Sequence, residues 1–442
     1  MSITEEYKKK HPISAKLHER ALSLFAGNGA THAGRIFDPF MPYITHASGS
    51  RKWDVDGNGY ICFSMCHGAL LLGHNHPKIV EAVQDQLTKG VQYGSNHELE
   101  IEWAELIQSI ITSAERVEFA ACGNEANMLA LRLGRVFTGR NKVLKFKEHF
   151  HGWNDQLVPP ERSAGVLPED NRINTVAISA NDLNRVEQEL AKREYAVLIT
   201  EGGGAHMGGQ IPLDNDFTQA LPDLTKKYGT IWVVDEVVTG FRELKGSWQS
   251  LVGVKPDLTT LGKCAGGGLA VGAVIGRADI MDAFNPTRPV EKRIIHSGTW
   301  NATPLVAAAG VAACRLYKTG EHQKRVAEMA AYFRKKANNL LEEKGIDGRF
   351  YGRNIIQFYI GPADFEPADD TLPPTKDVDR LMNRQYQPVL NRLRLHLLQR
   401  GVACQRNIFI MSSAHTKEDI NYTIEALADS LDAISGEGLL RT

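Results

Sequence analysis

Two charged groups stand where a buried sheet would hold them for chemistry. Ile231 to Val234 is a short apolar run of β-branched and aromatic side chains, the pattern of a strand buried on both faces. Asp235 and Glu236 follow at its carboxyl end, the edge at which open α/β sheets bind ligands. Leu258 to Leu261 is a second such run and stops at Gly262-Lys263. Gly266, Gly267 and Gly268 come next, so the backbone can turn tightly and other groups can approach. Lys263 lies between apolar runs, where desolvation lowers the pKa of an amine and makes it nucleophilic.

A carboxylate at one strand end and a lysine at the next match one chemistry. Pyridoxal phosphate needs a lysine for its Schiff base and an acid for its ring nitrogen. An isolated Asp–Lys pair is more often a structural ion pair. Here DEVVTGFR and LGK-x-x-GGG occur together and in order.

These segments resemble the class III aminotransferases, of fold type I among pyridoxal-phosphate enzymes. The branch most similar holds glutamate-1-semialdehyde aminomutase and D-phenylglycine aminotransferase. The likeness runs from about Ala30 to about Ile424. It implies that Asp235 pairs with the pyridine nitrogen, that Val237 packs behind the ring and that Lys263 carries the cofactor. It also implies an α/β fold, with a mostly parallel seven-stranded sheet in a large domain and a small α+β domain built from both chain ends. The expected division is 1–65 for an N-terminal arm and part of the small domain, 66–317 for the large domain and 318–442 for the rest of the small one.

Other elements must bring further groups to these strand ends. Val117 to Ala121 reads as a strand, and Cys122-Gly123-Asn124-Glu125 opens a helix to about Phe137. Free N–H groups and a positive dipole end make such a start a phosphate cradle. The resemblance assigns Gly123 and Asn124 to the phosphate, although the family pattern is Ser-Gly-Thr-Glu-Ala and a hydroxyl donor is lost. Glu125 reads equally well as a first-turn acid favouring the dipole. In HFHGW, Phe150 takes the place of the family tyrosine that stacks on the ring, and Trp153 is assigned to the substrate. Asn154 to about Asn171, with GVLPE at Gly165 to Glu169, reads as a loop long enough to be a lid. Val197 to Thr200 is a strand ending in Glu201-Gly202-Gly203-Gly204. The family usually has Glu-Pro there, with the acid near the ring oxygen, and three glycines should loosen the turn.

Substrate groups are read from arginines. Arg35 matches the arginine that grips a carboxylate in the aminomutase branch, and a guanidinium fork suits carboxylate or phosphonate. Arg406, in CQRNIFIMSS, resembles an arginine that contacts the substrate acid in β-amino-acid and D-phenylglycine aminotransferases. Thr299, in HSGTWN, matches a threonine reaching the phosphate of the partner's cofactor, which implies a homodimer with shared sites; it also reads as a helix cap. His74 and His76 in GHNHP read as a structural turn and not as a metal pair. WDVDGN reads as a hairpin followed by Cys62, where the family usually has aspartate.

Bulk properties bound the rest. The chain has 442 residues, net charge −1, 43% hydrophobic and 23% charged residues, as in ordinary globular proteins. Nothing marks a nucleic-acid or membrane partner, and six scattered cysteines fit neither a disulfide framework nor a zinc site. The opening MSITEEYKKKHP is no secretory signal, so a cytoplasmic enzyme is expected. Residues 1 to about 28 read as an arm, weakly helical from Ala15 to Phe25, of the kind that lies on a partner subunit.

The expected activity is transfer of an amino group from a small acidic amino compound to a keto acid. Elimination from a hydroxy-amino compound such as an aminophosphonate, intramolecular amine transfer and a cofactor-free binding homologue are the rivals. Departures at Cys122, Asn124, Phe150 and Gly202 keep elimination in view, because a lyase tolerates a weaker phosphate grip. Borohydride reduction followed by peptide mapping is expected to find a pyridoxyl label on Lys263, and a label elsewhere would overturn this reading.

Overall fold

The computed structural model describes residues 2–158, 164–166 and 173–440. The chain forms two compact units, Pro77–Lys324 and, built from both ends, Met1–His76 with Arg325–Thr442. Within the proposed lid, Pro159, Pro160 and Leu167 to Glu169 lie outside the described residues.

Fourteen strands are described. The N-terminal part supplies β1 (Ile44–Ser48), β2 (Arg51–Asp54) and β3 (Gly59–Cys62). Pro77–Lys324 supplies β4 (Arg116–Ala120), β5 (Lys142–Phe146), β6 (Thr175–Ile178), β7 (Tyr195–Glu201), β8 (Ile231–Asp235), β9 (Leu258–Gly262) and β10 (Gly272–Gly276). The C-terminal part supplies β11 (Gly348–Tyr351), β12 (Ile355–Ile360), β13 (Val402–Ala403) and β14 (Ile408–Ile410).

The seven strands β4 to β10 form one sheet in the order β4-β10-β9-β8-β7-β5-β6. It is parallel except at β10, which runs antiparallel to both β4 and β9. This is the mostly parallel sheet expected. Strand side chains alternate between faces. Val143, Val197 and Val233 face one core with Ala126, Ala130 and Leu133 of the helix Gly123–Thr138. Leu144, Leu198, Trp232 and Val234 face the other, with Val186, Leu190, Phe217 and Leu221 from the helices Leu183–Leu190 and Asn215–Tyr228. Both faces are covered, which is why these strands read as continuous apolar runs.

In the second unit, β1-β2-β3-β13 and β11-β12-β14 form small sheets. The N-terminal segment is helical over more of its length than expected. It is helical from the start, as Ile3–Lys10 and Pro12–Leu22, and it packs on its own unit. Tyr7 and His11 are fully buried, in a cluster with Phe40, Tyr60, Leu395 and Leu398 or hydrogen-bonded to it. Tyr60 OH donates to Asp54 Oδ2 at 2.6 Å, and Asp56 takes the N–H groups of Ile13 and Ser14 at 2.6 and 3.0 Å. The acids of WDVDGN thus hold the helices down, a long-range use that helical periodicity alone does not reveal. Burial alone would raise the Cys62 thiol, but Lys52 and His74 outweigh it and bring the thiol down to about 6.

Two further boundaries differ from expectation. The stretch from about Asp379 to Arg400 reads in sequence as one helix, but the chain breaks at Asn383, which adopts a left-handed φ of 52°, and resumes as Gln387–Gln399 with proline in its first turn. The residue capping Pro304–Tyr317 is Thr303, so Thr299 is not its cap. Thr416 does cap the last helix, Lys417–Gly436, in a capping box with Asp419. No described helix is long and apolar enough to cross a membrane.

Gly134 sets how closely the helix Gly123–Thr138 approaches β7: a Cβ there would lie 2.2 Å from Val197 Cγ2. Helix propensity favours alanine by about 1 kcal/mol, whereas overpacking a buried face costs about 1–3 kcal/mol. Gly134→Ala is therefore expected to lower the melting temperature, and a rise would show that the helix can move away freely.

Candidate active site

The register of the sheet builds the site. Glu201 of β7 pairs with Asp235 of β8, and Asp235 pairs with Thr260 of β9. Three strand ends therefore stop at one edge, with Lys263 three residues beyond Thr260. Gly272, at the start of β10, lies opposite Ala120 and Gly262, so the end of β4 joins the same edge. A Cβ on Gly272 would lie 2.1 Å from the carbonyl oxygen of Cys122, and that contact seats the next helix start.

Asp235 is 6% exposed and heavily hydrogen-bonded. Asn127 Nδ2 donates to its Oδ2 at 2.8 Å, His151 Nδ1 lies 2.9 Å from the same oxygen, and Val237 N donates to Oδ1 at 3.0 Å. Burial pushes the carboxyl up, but the bonds from His151, Val237 and Asn127 more than reverse this and leave it below the ordinary aspartate range. Lys263 opens a tight turn at a left-handed φ of 45°, a conformation costing about 1–2 kcal/mol. Burial draws its amine down, while Asp235 and Glu201 oppose the shift. A stored backbone strain and a weakened ammonium are both marks of a functional lysine.

Glu236 turns to other work. Its carboxylate accepts from Trp248 N, Gln249 N, Gln249 Nε2 and Thr239 Oγ1 at 2.8 to 3.1 Å, which closes the loop after β8. Glu201 Oε1 accepts from Phe150 N at 2.6 Å, and Oε2 lies 3.0 Å from His206 Nδ1. Gly202 N donates to the carbonyl of Asp235 at 2.8 Å, a bond that the family's proline could not make. The three glycines therefore gain a ladder bond, where a looser turn was expected.

The helix start at Gly123 has no side-chain cap from Cys122. Its first amides and its dipole remain for an anion. Glu125 Oε2 accepts from Ala121 N at 2.7 Å, the capping role. Asn124 Oδ1 accepts from Trp153 N, Asn154 N and Asn154 Nδ2 at 3.1, 3.2 and 3.1 Å. Its side chain thus braces the 153–154 segment, leaving its main-chain amide for the cradle. Gly152 is needed beside it, since a Cβ would lie 2.3 Å from Asn124 Oδ1. A Cβ on Gly123 would lie 2.8 Å from Val237, so these two residues are in contact. Phe150 and Trp153 are exposed, at 45% and 76%. A buried carboxylate, an amine, an uncapped helix start and an open aromatic ring fit a phosphorylated pyridine aldehyde.

Pro77–Lys324 thus brings together Lys263, Asp235, Val237, Gly123, Asn124, Phe150, Trp153 and Glu201. Thr299 is exposed, and its carbonyl accepts from Gln92 Nε2 at 2.6 Å; no hydrogen bond among the described residues joins it to this group. Arg35 and Arg406 belong to the other unit, both exposed. Gln405 Nε2 lies 2.5 Å from His67 Nδ1, and the His67 ring lies 4.8 Å from that of His32. These side chains connect the turn bearing Arg35 to the turn bearing Arg406. No metal-binding cluster occurs among the described residues.

Sequence reasoning passed over Asn127 and His151. Asn127 lies one helical turn after Gly123, on the same face, and that spacing was the available signal. His151 had none beyond its place in HFHGW.

His149 has a separate consequence. Its Nδ1 accepts from Glu201 N at 2.7 Å, and burial, with His151, Lys145 and His206, holds it well below its ordinary value. The folded ring is neutral, while the unfolded ring takes a proton near pH 6.5. Stability is therefore lost as pH falls below about 6.5, by about 1.4 kcal/mol per unit. In urea titrations between pH 6 and 5, His149→Asn is expected to flatten the slope by about that amount. An unchanged slope would mean that the ring is protonated when folded.

The family model for Aminotransferase class-III matches residues 34–348. Glutamate-1-semialdehyde 2,1-aminomutase of Sulfurisphaera tokodaii is 35% identical over 94% of this chain and 98% of its own. Among solved structures, an omega-transaminase from Sphaerobacter thermophilus superposes with a TM-score of 0.85 at 28% identity, covering 95% of this chain and 97% of its own. A β-phenylalanine aminotransferase from Variovorax paradoxus gives 0.83 at 27% identity, over 99% and 96%. With strand ends, lysine and carboxylate arranged as above, the chain belongs to the class III aminotransferases, a family of pyridoxal-phosphate-dependent enzymes.

Proposed function

We propose that this enzyme transfers the amino group of a small acidic amino compound to a keto acid, as a homodimer. The observation that supports transfer over elimination is the bracing of Asn124. A transaminase must retain the aminated cofactor between half-reactions, and three donors on Asn124 Oδ1 hold the phosphate-side helix start to the 153–154 segment. The loss of a hydroxyl at this position therefore does not leave the cradle slack. Lys263 and Asp235, both in place, count against a cofactor-free homologue.

Bound, pyridoxal 5'-phosphate supplies an aldehyde to hold the substrate amine and a ring that withdraws electrons from the amine-bearing carbon. Lys263 Nζ, held down in pKa by burial, takes the proton from that carbon and returns it at the end of the half-reaction. Asp235, kept ionised by its hydrogen bonds, would hold the ring nitrogen in its protonated form. The N–H groups of Gly123 and Asn124 would hold the phosphate, Val237 and Phe150 would pack on the ring, and Glu201 would serve its oxygen side. Arg35, Arg406 and Trp153 hold and orient the substrate, the guanidinium forks on its acidic group. Thr299 serves the partner's cofactor. Val290, Ile295 and Trp300, 64% to 77% exposed around it, support burial of this segment in a dimer.

A second reading is intramolecular amine transfer, supported by the 35% identity to the aminomutase. The altered CQRN segment around Arg406 counts against it. The test is a panel of acidic amino donors, including glutamate-1-semialdehyde, with and without 2-oxoglutarate. Transfer is expected to bleach the cofactor band with one equivalent of keto product, and to cycle only with the acceptor. Turnover without acceptor and without ammonia would establish the mutase, and steady ammonia release a lyase.

A further inference from the structure

Asp235 is gripped from two places distant in the chain. Asn127 comes from the helix Gly123–Thr138 and His151 from the segment after β5, and both meet Oδ2. Both are almost fully buried, at 2% and 1% exposure. The orientation of each is fixed by a further partner. Thr260 Oγ1 donates to Asn127 Oδ1 at 2.7 Å, and Asn127 Nδ2 also donates to the carbonyl of His151 at 2.9 Å. Flipping the amide would set its oxygen against both a carboxylate and a carbonyl, so the nitrogen faces Asp235. The His151 nitrogen facing an ionised carboxylate must likewise carry the proton. Thr260 is fully buried and pairs in register with Asp235, so the fold of the sheet itself sets this arrangement.

We propose that His151 and Asn127, oriented by Thr260, are positioning residues that keep Asp235 ionised and aimed, so that the cofactor's ring nitrogen retains its proton during turnover. The proposal rests on the cofactor reading above. A buried carboxylate without these donors would gain more from protonation than from staying charged. It would then cease to support charge on the ring. A purely structural role is the rival, because Asn127 also ties its helix to the His151 carbonyl. That role predicts lower stability with an unchanged ring.

The experiment compares holoenzymes of wild type, His151→Leu, His151→Asn and Thr260→Val. Asparagine keeps a donor near the position of Nδ1, leucine removes it, and valine releases the Asn127 amide without changing volume. Three readouts are taken: the pH titration of the bound-cofactor absorbance, the proton NMR signal of the ring N–H, and the cofactor Kd. His151→Leu is expected to shift the titration midpoint by at least about one unit, to shift or lose the ring N–H signal and to weaken binding about tenfold to hundredfold. Thr260→Val is expected to move all three in the same direction by less, and His151→Asn to restore them. The neighbouring ionisable groups, Lys263, His149 and Glu201, are the same in all four proteins. Should the leucine variant fail to fold, Thr260→Val still decides. Wild-type titration and wild-type ring signal in both would overturn the proposal. Wild-type protein with no pyridoxyl label on Lys263 would instead overturn the cofactor reading beneath it.

Discussion

The site depends on keeping one carboxylate charged in a place that disfavours charge. Asp235 sits at the end of a strand covered on both faces, where burial pushes toward the neutral acid. Hydrogen bonds to an ionised group are each stronger than neutral ones, and three donors meet here. The donors come from a helix, a loop and the main chain of Val237, two residues after the carboxylate. The sheet, the helix Gly123–Thr138 and the 149–154 segment must therefore all be in register before the charge is stable. That requirement links the packing of the large unit to its chemistry, because anything that shifts the helix along the sheet also changes how Asp235 is solvated.

Lys263 is the counterpart. Its backbone adopts a conformation that non-glycine residues avoid, and its amine lies where burial makes it less basic. Both costs are met by the surrounding fold, since β9 and β10 are locked on either side of the turn. The three glycines after it have separate uses: Gly267 and Gly268 take positive φ, and a Cβ on Gly266 would press on Val271 at 2.8 Å. A run that looks merely flexible in sequence is a tight, specified turn.

Much of this was legible in the sequence, for a physical reason. Strands buried on both faces are written as unbroken apolar runs, and the residues at their ends are polar by contrast. Asp235, Glu201 and Lys263 stand out on that ground alone. The strand Gly272–Gly276 did not, because it is short and bounded by glycine at both ends, although antiparallel pairing on both sides makes it part of the sheet. Asn127 and His151 were hidden differently. Their partner is 108 and 84 residues away along the chain, and no local period records such a meeting. The helix Ile3–Lys10 and the burial of the N-terminal segment were hidden, because acids in a hairpin more than forty residues away hold that segment down.

The departures from the family pattern bear on how the site has been kept. Asn124 stands where a hydroxyl is usual, and its side-chain oxygen takes up three donors from Trp153 and Asn154. Gly202 stands where proline is usual, and its N–H donates to the carbonyl of Asp235 itself. Each change removes one interaction and adds another beside the same strand end. Buried polar groups are costly when unpaired, and both replacements are paired, so neither departure loosens the end of β8 or the helix start at Gly123.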